Sequence, residues 1–146
     1  MKILFSSVSL LLTIFFSFSP INTNAQGLPV SSEFGWRIHP ISHEKKFHTG
    51  VDLALNEGSI IKAIKEGTII YAAPWGWYGN TIIIEHPDGD KTLYAHCKRF
   101  IKHYKDKVTK GEAIATVGAT GRVTGPHLHL EWWHNGQYYN PIKLLE

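Results

Sequence analysis

The sequence predicts an all-β fold, a small antiparallel sheet or sandwich. Three observations carry that prediction. Short β-branched runs recur along the chain, set off by glycines. The strongest, Thr81-Ile82-Ile83-Ile84-Glu85-His86, is joined to Lys91-Thr92-Leu93-Tyr94-Ala95-His96 by Pro87-Asp88-Gly89-Asp90, a turn signal that makes the two a hairpin. Only residues 98–107 lack strand character, so there is little from which to build a layer of helices.

In chain order, residues 26–30 read as a short tail. Residues 60–64 and 67–71 are strands set off by Gly58 and Gly67. The hairpin of residues 81–96 follows. Residues 98–107 read as a helical turn or a lysine-rich loop. Residues 113–117 and 127–133 are further strands, with Gly118, Gly121 and Gly125 marking the loop between them. At the carboxy end, Ile142, Leu144 and Leu145 are expected to pack against the sheet. No repeat of fixed period and no low-complexity segment appears.

Residues 1–25 read as a secretory signal. Met1-Lys2 is followed by an apolar run from Ile3 to Phe18, then by Pro20 and by small residues ending at Ala25. The run is short and serine-rich for a span that needs about 20 apolar residues. An uncleaved anchor is the alternative, and no cysteine stands at the cleavage point to take a lipid. Cleavage near Ala25 leaves residues 26–146 as one domain, an exported monomer without a membrane span, in a periplasm or outside the cell. The chain has a net charge of +3, of which Lys2 supplies one. Lys102, Lys105, Lys107 and Lys110 form a basic cluster, either an ordinary solvated patch or a face suited to a polyanionic wall. No nucleic-acid motif appears. Cys97 is the only cysteine, so no internal disulfide forms. It follows His96, but neighbours on a strand point to opposite faces, which argues against a Cys–His nucleophile.

The chemistry concentrates in two distant stretches, His48-Thr49-Gly50-Val51-Asp52 and Gly125-Pro126-His127-Leu128-His129, with Tyr94-Ala95-His96 between them. On a strand His127 and His129 share a face, and Leu128 and Leu130 turn to the core. Fully extended, His48 and Asp52 would lie about 13 Å apart, too far for one ion, so the chain must bend, and Gly50 is where a bend is expected. Imidazoles with one carboxylate are the mixed donor set of a catalytic zinc, and the cysteines of a closed structural site are missing. Two imidazoles and a carboxylate leave a fourth position for water, which implies hydrolysis. There is no His-Glu-x-x-His helix. Proton handling then falls to spare histidines, for which His96 and one of the His127/His129 pair are candidates. His39 and His43 read as loop residues, His86 as exposed, and His103 and His134 show no partner pattern.

At these residues the chain resembles the lysostaphin-like, or LytM-type, zinc metallopeptidases that cut peptidoglycan peptides. The likeness runs from residues 32–40 through Phe47-His48-Thr49-Gly50-Val51-Asp52, Tyr78-Gly79-Asn80, Leu93-Tyr94-Ala95-His96 and residues 108–112. It ends in residues 118–122, Thr124-Gly125-Pro126-His127-Leu128-His129 and Asn140-Pro141. The resemblance implies a groove across a small β-sheet and one zinc ion per chain. It assigns the ion to His48, Asp52 and His129, and makes His96 and His127 the catalytic histidines. It implies peptidoglycan peptides as substrate. From the residues themselves, Arg37 and Arg122 are candidate binders of a stem-peptide carboxylate or structural arginines, and Trp75, Trp77 and Tyr78, in a glycine-rich loop, are groove lining or loop core. Cys97 departs from the apolar residue expected there. The competing readings are a non-catalytic regulator of a wall amidase with the same fold, and a metal-sequestering module.

Overall fold

The computed structural model describes residues 27–39 and 41–146; the expected signal segment, residues 1–25, lies outside them. The strands are β1 (Val30–Ser32), β2 (Gly35–Ile38), β3 (Lys45–His48), β4 (Gly50–Leu53), β5 (Ile60–Lys62), β6 (Gly67–Pro74), β7 (Asn80–Glu85), β8 (Lys91–Phe100), β9 (Lys107–Val108), β10 (Ala113–Val117), β11 (Leu128–His134) and β12 (Gln137–Tyr139). Two short 3-10 turns, Gly76–Tyr78 and Pro141–Leu144, are the only helical elements among the described residues. Every strand pairing is antiparallel, as expected from the sequence. The main sheet runs β1-β4-β11-β8-β7-β6-β9, with β12 on β11 and with β10 bridging β8 to β5. β2 and β3 form a separate ribbon.

The sheet forms because its central strands are apolar on both faces. Ile82 and Ile84 of β7 and Tyr94 of β8 point into the larger core, which also takes Val51, Leu53, Ile69, Cys97, Ile114, Val117, Leu128 and Leu130. Each fully buried Ile or Leu contributes about 2 kcal/mol of apolar burial. The alternate residues Ile83, Leu93 and Ala95 form a smaller cluster on the opposite face with Tyr78 and Trp133. That second face carries the histidines. In antiparallel pairs facing residues share a face. His129 sits opposite Asp52 of β4 on one side and Ala95 of β8 on the other.

Four local expectations are corrected. The strand β8 continues through Phe100, so the irregular segment is shorter than residues 98–107. The tail ends early: Val30 is buried in β1 and Leu28 packs against the core. His86 is not exposed but 3% accessible, held by the Glu66 carbonyl at 2.6 Å and the Thr92 hydroxyl at 2.8 Å. His134 does have a partner, Asp90, at 2.5 Å. Sequence periodicity could not show either contact, because both partners come from outside the local pattern. The carboxy end behaves as expected, with Ile142 and Leu145 against the core.

Candidate active site

The bend between His48 and Asp52 falls at Thr49, where β3 of the ribbon passes into β4 of the main sheet. Gly50 serves a different purpose from the expected one. It lies inside β4, and a Cβ there would meet the Leu130 carbonyl oxygen at 2.2 Å and the His129 ring at 2.9 Å. Glycine is needed because β4 and β11 approach closely under the site, not because the chain turns there.

The consequence is a tight triangle. His48 Nε2 lies 3.1 Å from His129 Nδ1 and 3.3 Å from Asp52 Oδ1, and His129 Nδ1 lies 2.7 Å from the same oxygen. Two ligands of a tetrahedral zinc with bonds near 2.0–2.1 Å stand about 3.3 Å apart. His48, Asp52 and His129 therefore fit a zinc ion, and they are the group able to hold a metal among the described residues. The electrostatics agree. Burial alone would raise the Asp52 pKa, but hydrogen bonds from His129 and His48 outweigh it and hold the carboxyl far below its ordinary range. Burial alone would lower His129, but its bonds to Asp52 and Glu131 lift it to about 9. The centre favours positive charge.

Each imidazole is fixed by a partner on its other nitrogen. His48 Nδ1 donates to the Glu33 carbonyl at 2.8 Å, which leaves Nε2 for the triangle. His129 Nε2 donates to Glu131 Oε1 at 3.1 Å, which leaves Nδ1. Glu131 is fully buried and also accepts from Thr49 Oγ1 at 2.5 Å, Tyr78 OH at 2.8 Å and Trp133 Nε1 at 2.8 Å. It escaped the sequence reading, although the signal was there: Glu131 continues the i, i+2 face of His127 and His129.

His96 and His127 stand beside the triangle. Their rings are 4.7 Å apart, and His127 Nε2 is 3.8 Å from Asp52 Oδ1. His127 lies one residue before β11, on an isolated bridge to Gly118. Both histidines anchor Nδ1 on a backbone carbonyl, His96 on Thr120 at 2.9 Å and His127 on Gly125 at 2.9 Å. Nε2 of each is thereby left to the groove that both side chains line. His96 has a left-handed backbone (φ 60°), a conformation that costs a non-glycine residue energy and that turns its ring toward Thr120. Burial pushes its pKa down to about 4, so its imidazole is neutral near pH 7. Cys97 faces the other way, fully buried in the larger core, its pKa raised by burial to about 12. That removes the Cys–His nucleophile.

The groove has a volume of about 860 Å³. One wall is the β2–β3 ribbon with Arg37, Ile38 and Phe47, and the other is Trp77, Tyr78 and Arg122. The loop aromatics differ in degree: Trp77 is 73% exposed, with the Arg122 guanidinium 5.0 Å from its ring, whereas Trp75, 42% exposed, contacts the tilted rings of Tyr71 and Tyr78. Arg37 reaches Asp52 Oδ2 at 3.8 Å. His39 is a loop residue as expected, and it also lines the groove.

Comparison with known proteins agrees with this geometry. The chain is 45% identical over 115 residues to the DD-carboxypeptidase/endopeptidase Mpg of Neisseria meningitidis, covering 79% of this chain and 26% of that protein. It is 38% identical over 113 residues to the peptidoglycan DD-endopeptidase ShyC of Vibrio cholerae, covering 77% of this chain and 26% of that one. The chain thus spans about a quarter of the length of these curated relatives. Its fold superposes on the catalytic domain of the antimicrobial peptidase lysostaphin from Staphylococcus simulans with a TM-score of 0.74 at 28% identity, covering 86% of this chain and all of that domain. The sequence profile described as peptidase family M23 matches residues 46–141, which include His48, Asp52, His96, His127, His129 and Glu131, and the chain belongs to that family.

Proposed function

We propose that this chain is an exported zinc peptidase that hydrolyses peptide cross-links or stem peptides of bacterial peptidoglycan. The observation that carries the reading is the triangle of His48 Nε2, Asp52 Oδ1 and His129 Nδ1, with two further imidazoles anchored beside it. A metal-sequestering module has no use for the two additional bases. A pure regulator of a wall amidase has no use for the intact ligand set. The similarity to a DD-carboxypeptidase/endopeptidase and to a peptidoglycan DD-endopeptidase supports peptidoglycan as substrate. Action on that polymer requires export, for which residues 1–25 are the proposed signal.

In this reading His48, Asp52 and His129 hold one zinc ion per chain. Zinc so held supplies a Lewis acid that polarises the scissile carbonyl and makes a water ligand acidic near neutral pH. The remaining steps belong to the chain. His96 and His127, with Nδ1 tied to backbone carbonyls, present Nε2 to the groove. There one accepts the proton of the attacking water and the other donates to the developing oxyanion or the leaving amine. His96, neutral near pH 7, suits the accepting role. The ribbon and the Trp77 loop hold the peptide in line.

The test is digestion of purified peptidoglycan by the mature protein, with products read by mass spectrometry. New amine and carboxyl ends should appear, vanish with a chelator and return with zinc. His129→Ala should remove both activity and zinc binding. Full activity of that variant would overturn the ligand assignment. Unchanged function in cells after His48→Ala would favour the regulator.

A further inference from the structure

The positive charge of the chain is concentrated away from the groove. Residues 98–112 hold six lysines and arginines against two acids, Asp106 and Glu112, a surplus of four in a chain whose net charge is +3. Two of the six are paired, Lys98 with Glu57 at 2.8 Å and Lys102 with Glu112 at 2.6 Å. Arg99, Lys105, Lys107 and Lys110 are exposed and have no ion pair among the described residues. Four unpaired cations on one segment repel one another, yet the backbone holds them in place. The N–H groups of Ile101 and Lys102 donate to the Ile114 carbonyl at 2.8 and 3.0 Å, that of Lys105 to the Ile69 carbonyl at 2.8 Å, and that of Gly111 to the Ala63 carbonyl at 2.7 Å. The segment is thereby folded onto β10, β6 and the end of β5. Large apolar side chains stand exposed among these cations: Ile60, Ile101 and Tyr104. Arg99 of β8 faces Thr116 of β10, which in turn faces Ile60 of β5, so the three share one face. Alternation puts Lys62 on that face beside Ile60 and turns Ile61 and Phe100 to the core. Ile101 and Tyr104 follow at the exit of β8, with Lys105 Nζ 5.3 Å from the centre of the Tyr104 ring. None of these residues lines the groove.

Unpaired cations call for an anionic partner, and the apolar residues between them narrow its kind. A phosphate- or carboxylate-bearing polymer would be held by the cations alone. A bilayer of anionic lipid takes both groups: its phosphates attract lysine and arginine, and its headgroup zone admits isoleucine and tyrosine side chains while the long basic chains reach back to the phosphates. We infer that the face formed by Ile60, Lys62, Arg99, Ile101, Tyr104 and Lys105 docks the chain on the surface of an anionic phospholipid membrane. The docking is peripheral and reversible, because three apolar side chains are far from a membrane span. It goes beyond the peptidase reading and does not depend on it. The groove stays free in the docked chain, so a substrate can enter while the protein is held at the lipid surface.

Residues 26–146 hold every described strand and both cores, and their use keeps the apolar run of residues 3–18 from adding affinity of its own. This protein is sedimented with vesicles of phosphatidylcholine alone and with vesicles of equal parts phosphatidylglycerol and phosphatidylcholine. Each cation near an anionic surface contributes about fivefold, so three of them should favour the anionic vesicles by roughly 100-fold, a preference that shrinks as salt is raised. Arg99→Gln with Lys105→Gln should cut binding to the anionic vesicles by about 25-fold. Ile101→Ser with Tyr104→Ser should cut it by about tenfold with the salt dependence unchanged. All four positions are exposed, so melting temperatures should stay near the wild-type value, and cleavage of a soluble peptide should be unaffected. Equal binding to neutral and anionic vesicles would overturn the inference. So would wild-type vesicle binding by the Ile101→Ser, Tyr104→Ser protein, which would reduce the face to a simple polyanion patch. Variants that lose binding to purified peptidoglycan while keeping it to vesicles would assign the face to the wall instead and overturn the inference as well.

Discussion

Glu131 offers the sharpest test of how the metal centre is held. Its buried carboxylate takes hydrogen bonds from His129 Nε2, Thr49 Oγ1, Tyr78 OH and Trp133 Nε1. Burial raises its pKa, yet those bonds, led by His129, outweigh burial and keep the group ionised. Replacing Glu131 by Ala removes the anion that fixes His129 with Nδ1 toward the triangle. Loss of such an outer partner typically weakens metal binding 10- to 100-fold, or about 1.4–2.7 kcal/mol. It also strands buried donors at about 1–3 kcal/mol each, so the metal-free fold should lose roughly 3–5 kcal/mol in total. Glu131→Gln separates the two effects. The amide oxygen still accepts from His129, but the charge is gone and its NH2 group faces other donors. The fold loss should then be smaller than for Ala while zinc affinity still falls. Zinc affinity by competition with a chromophoric chelator, and unfolding midpoints with and without zinc, give both numbers. Wild-type zinc affinity in a folded Glu131→Gln protein would refute the reasoning.

Other outcomes follow from the same geometry. Gly50→Ala puts a methyl 2.2 Å from the Leu130 carbonyl oxygen, and the resulting strand separation should cost on the order of 2–4 kcal/mol; an unchanged melting temperature would show that β4 and β11 can part freely. His96→Ala and His127→Ala should each lower kcat by about 10²–10⁴ while isothermal titration finds zinc binding within a few-fold of wild type, whereas His48→Ala should abolish that binding. Because burial holds the His96 pKa near 4, below its unfolded value, the unfolded chain takes up the extra proton first as pH falls. Stability attributable to this residue should therefore be intact above about pH 6.5 and decline toward pH 4 by up to about 3 kcal/mol. A His96→Gln variant should lack that slope in denaturant titrations of the metal-free protein. Cys97 should resist alkylating reagents in the native state and react only on unfolding, as a mass shift would reveal.

The all-β architecture was legible because alternation on β7 and β8 reports two buried faces directly, and the turn between them is local chemistry. The group able to hold a metal was legible for a related reason. His129 and Asp52 sit on strands, and His127 just before one, so their side-chain direction follows from counting, and the family likeness then selected among them. What escaped depends on register between distant strands. Gly50 looked like a bend because glycine is permissive, and only the pairing Gly50↔Glu131 shows that a side chain there would strike β11. His86 looked exposed, and His134 showed no partner pattern, because Glu66 and Asp90 reach them from other segments. The ribbon β2–β3 was not foreseen as a wall, since its aromatic and basic residues show no burial pattern until Trp36 is set against Phe47 and Arg37 against Lys46.

The division of labour between side chains and backbone has a consequence for what evolution or engineering can alter. The imidazoles of the proposed metal group, His129 and His48, are oriented by Glu131 and by the Glu33 carbonyl, so their aim depends partly on one replaceable carboxylate. His96 and His127 are oriented through Nδ1 by the carbonyls of Thr120 and Gly125, in the loop between β10 and β11. That loop is locked to the Trp77 turn, where a Cβ at Gly79 would strike Thr120 at 2.4 Å and one at Gly121 would strike the Trp77 carbonyl at 2.4 Å. Thr120 completes the lock, donating to the Cys97 carbonyl at 2.8 Å and accepting from the Asn80 N–H at 3.0 Å. Substitution in the glycines of these two loops should therefore disturb the proton-handling histidines while sparing the zinc triangle. Gly121→Ala, which adds the penalty of a φ of +80°, should lower kcat with zinc affinity unchanged. Parallel losses of zinc and of rate would mean that the two pairs of supports are not mechanically separate.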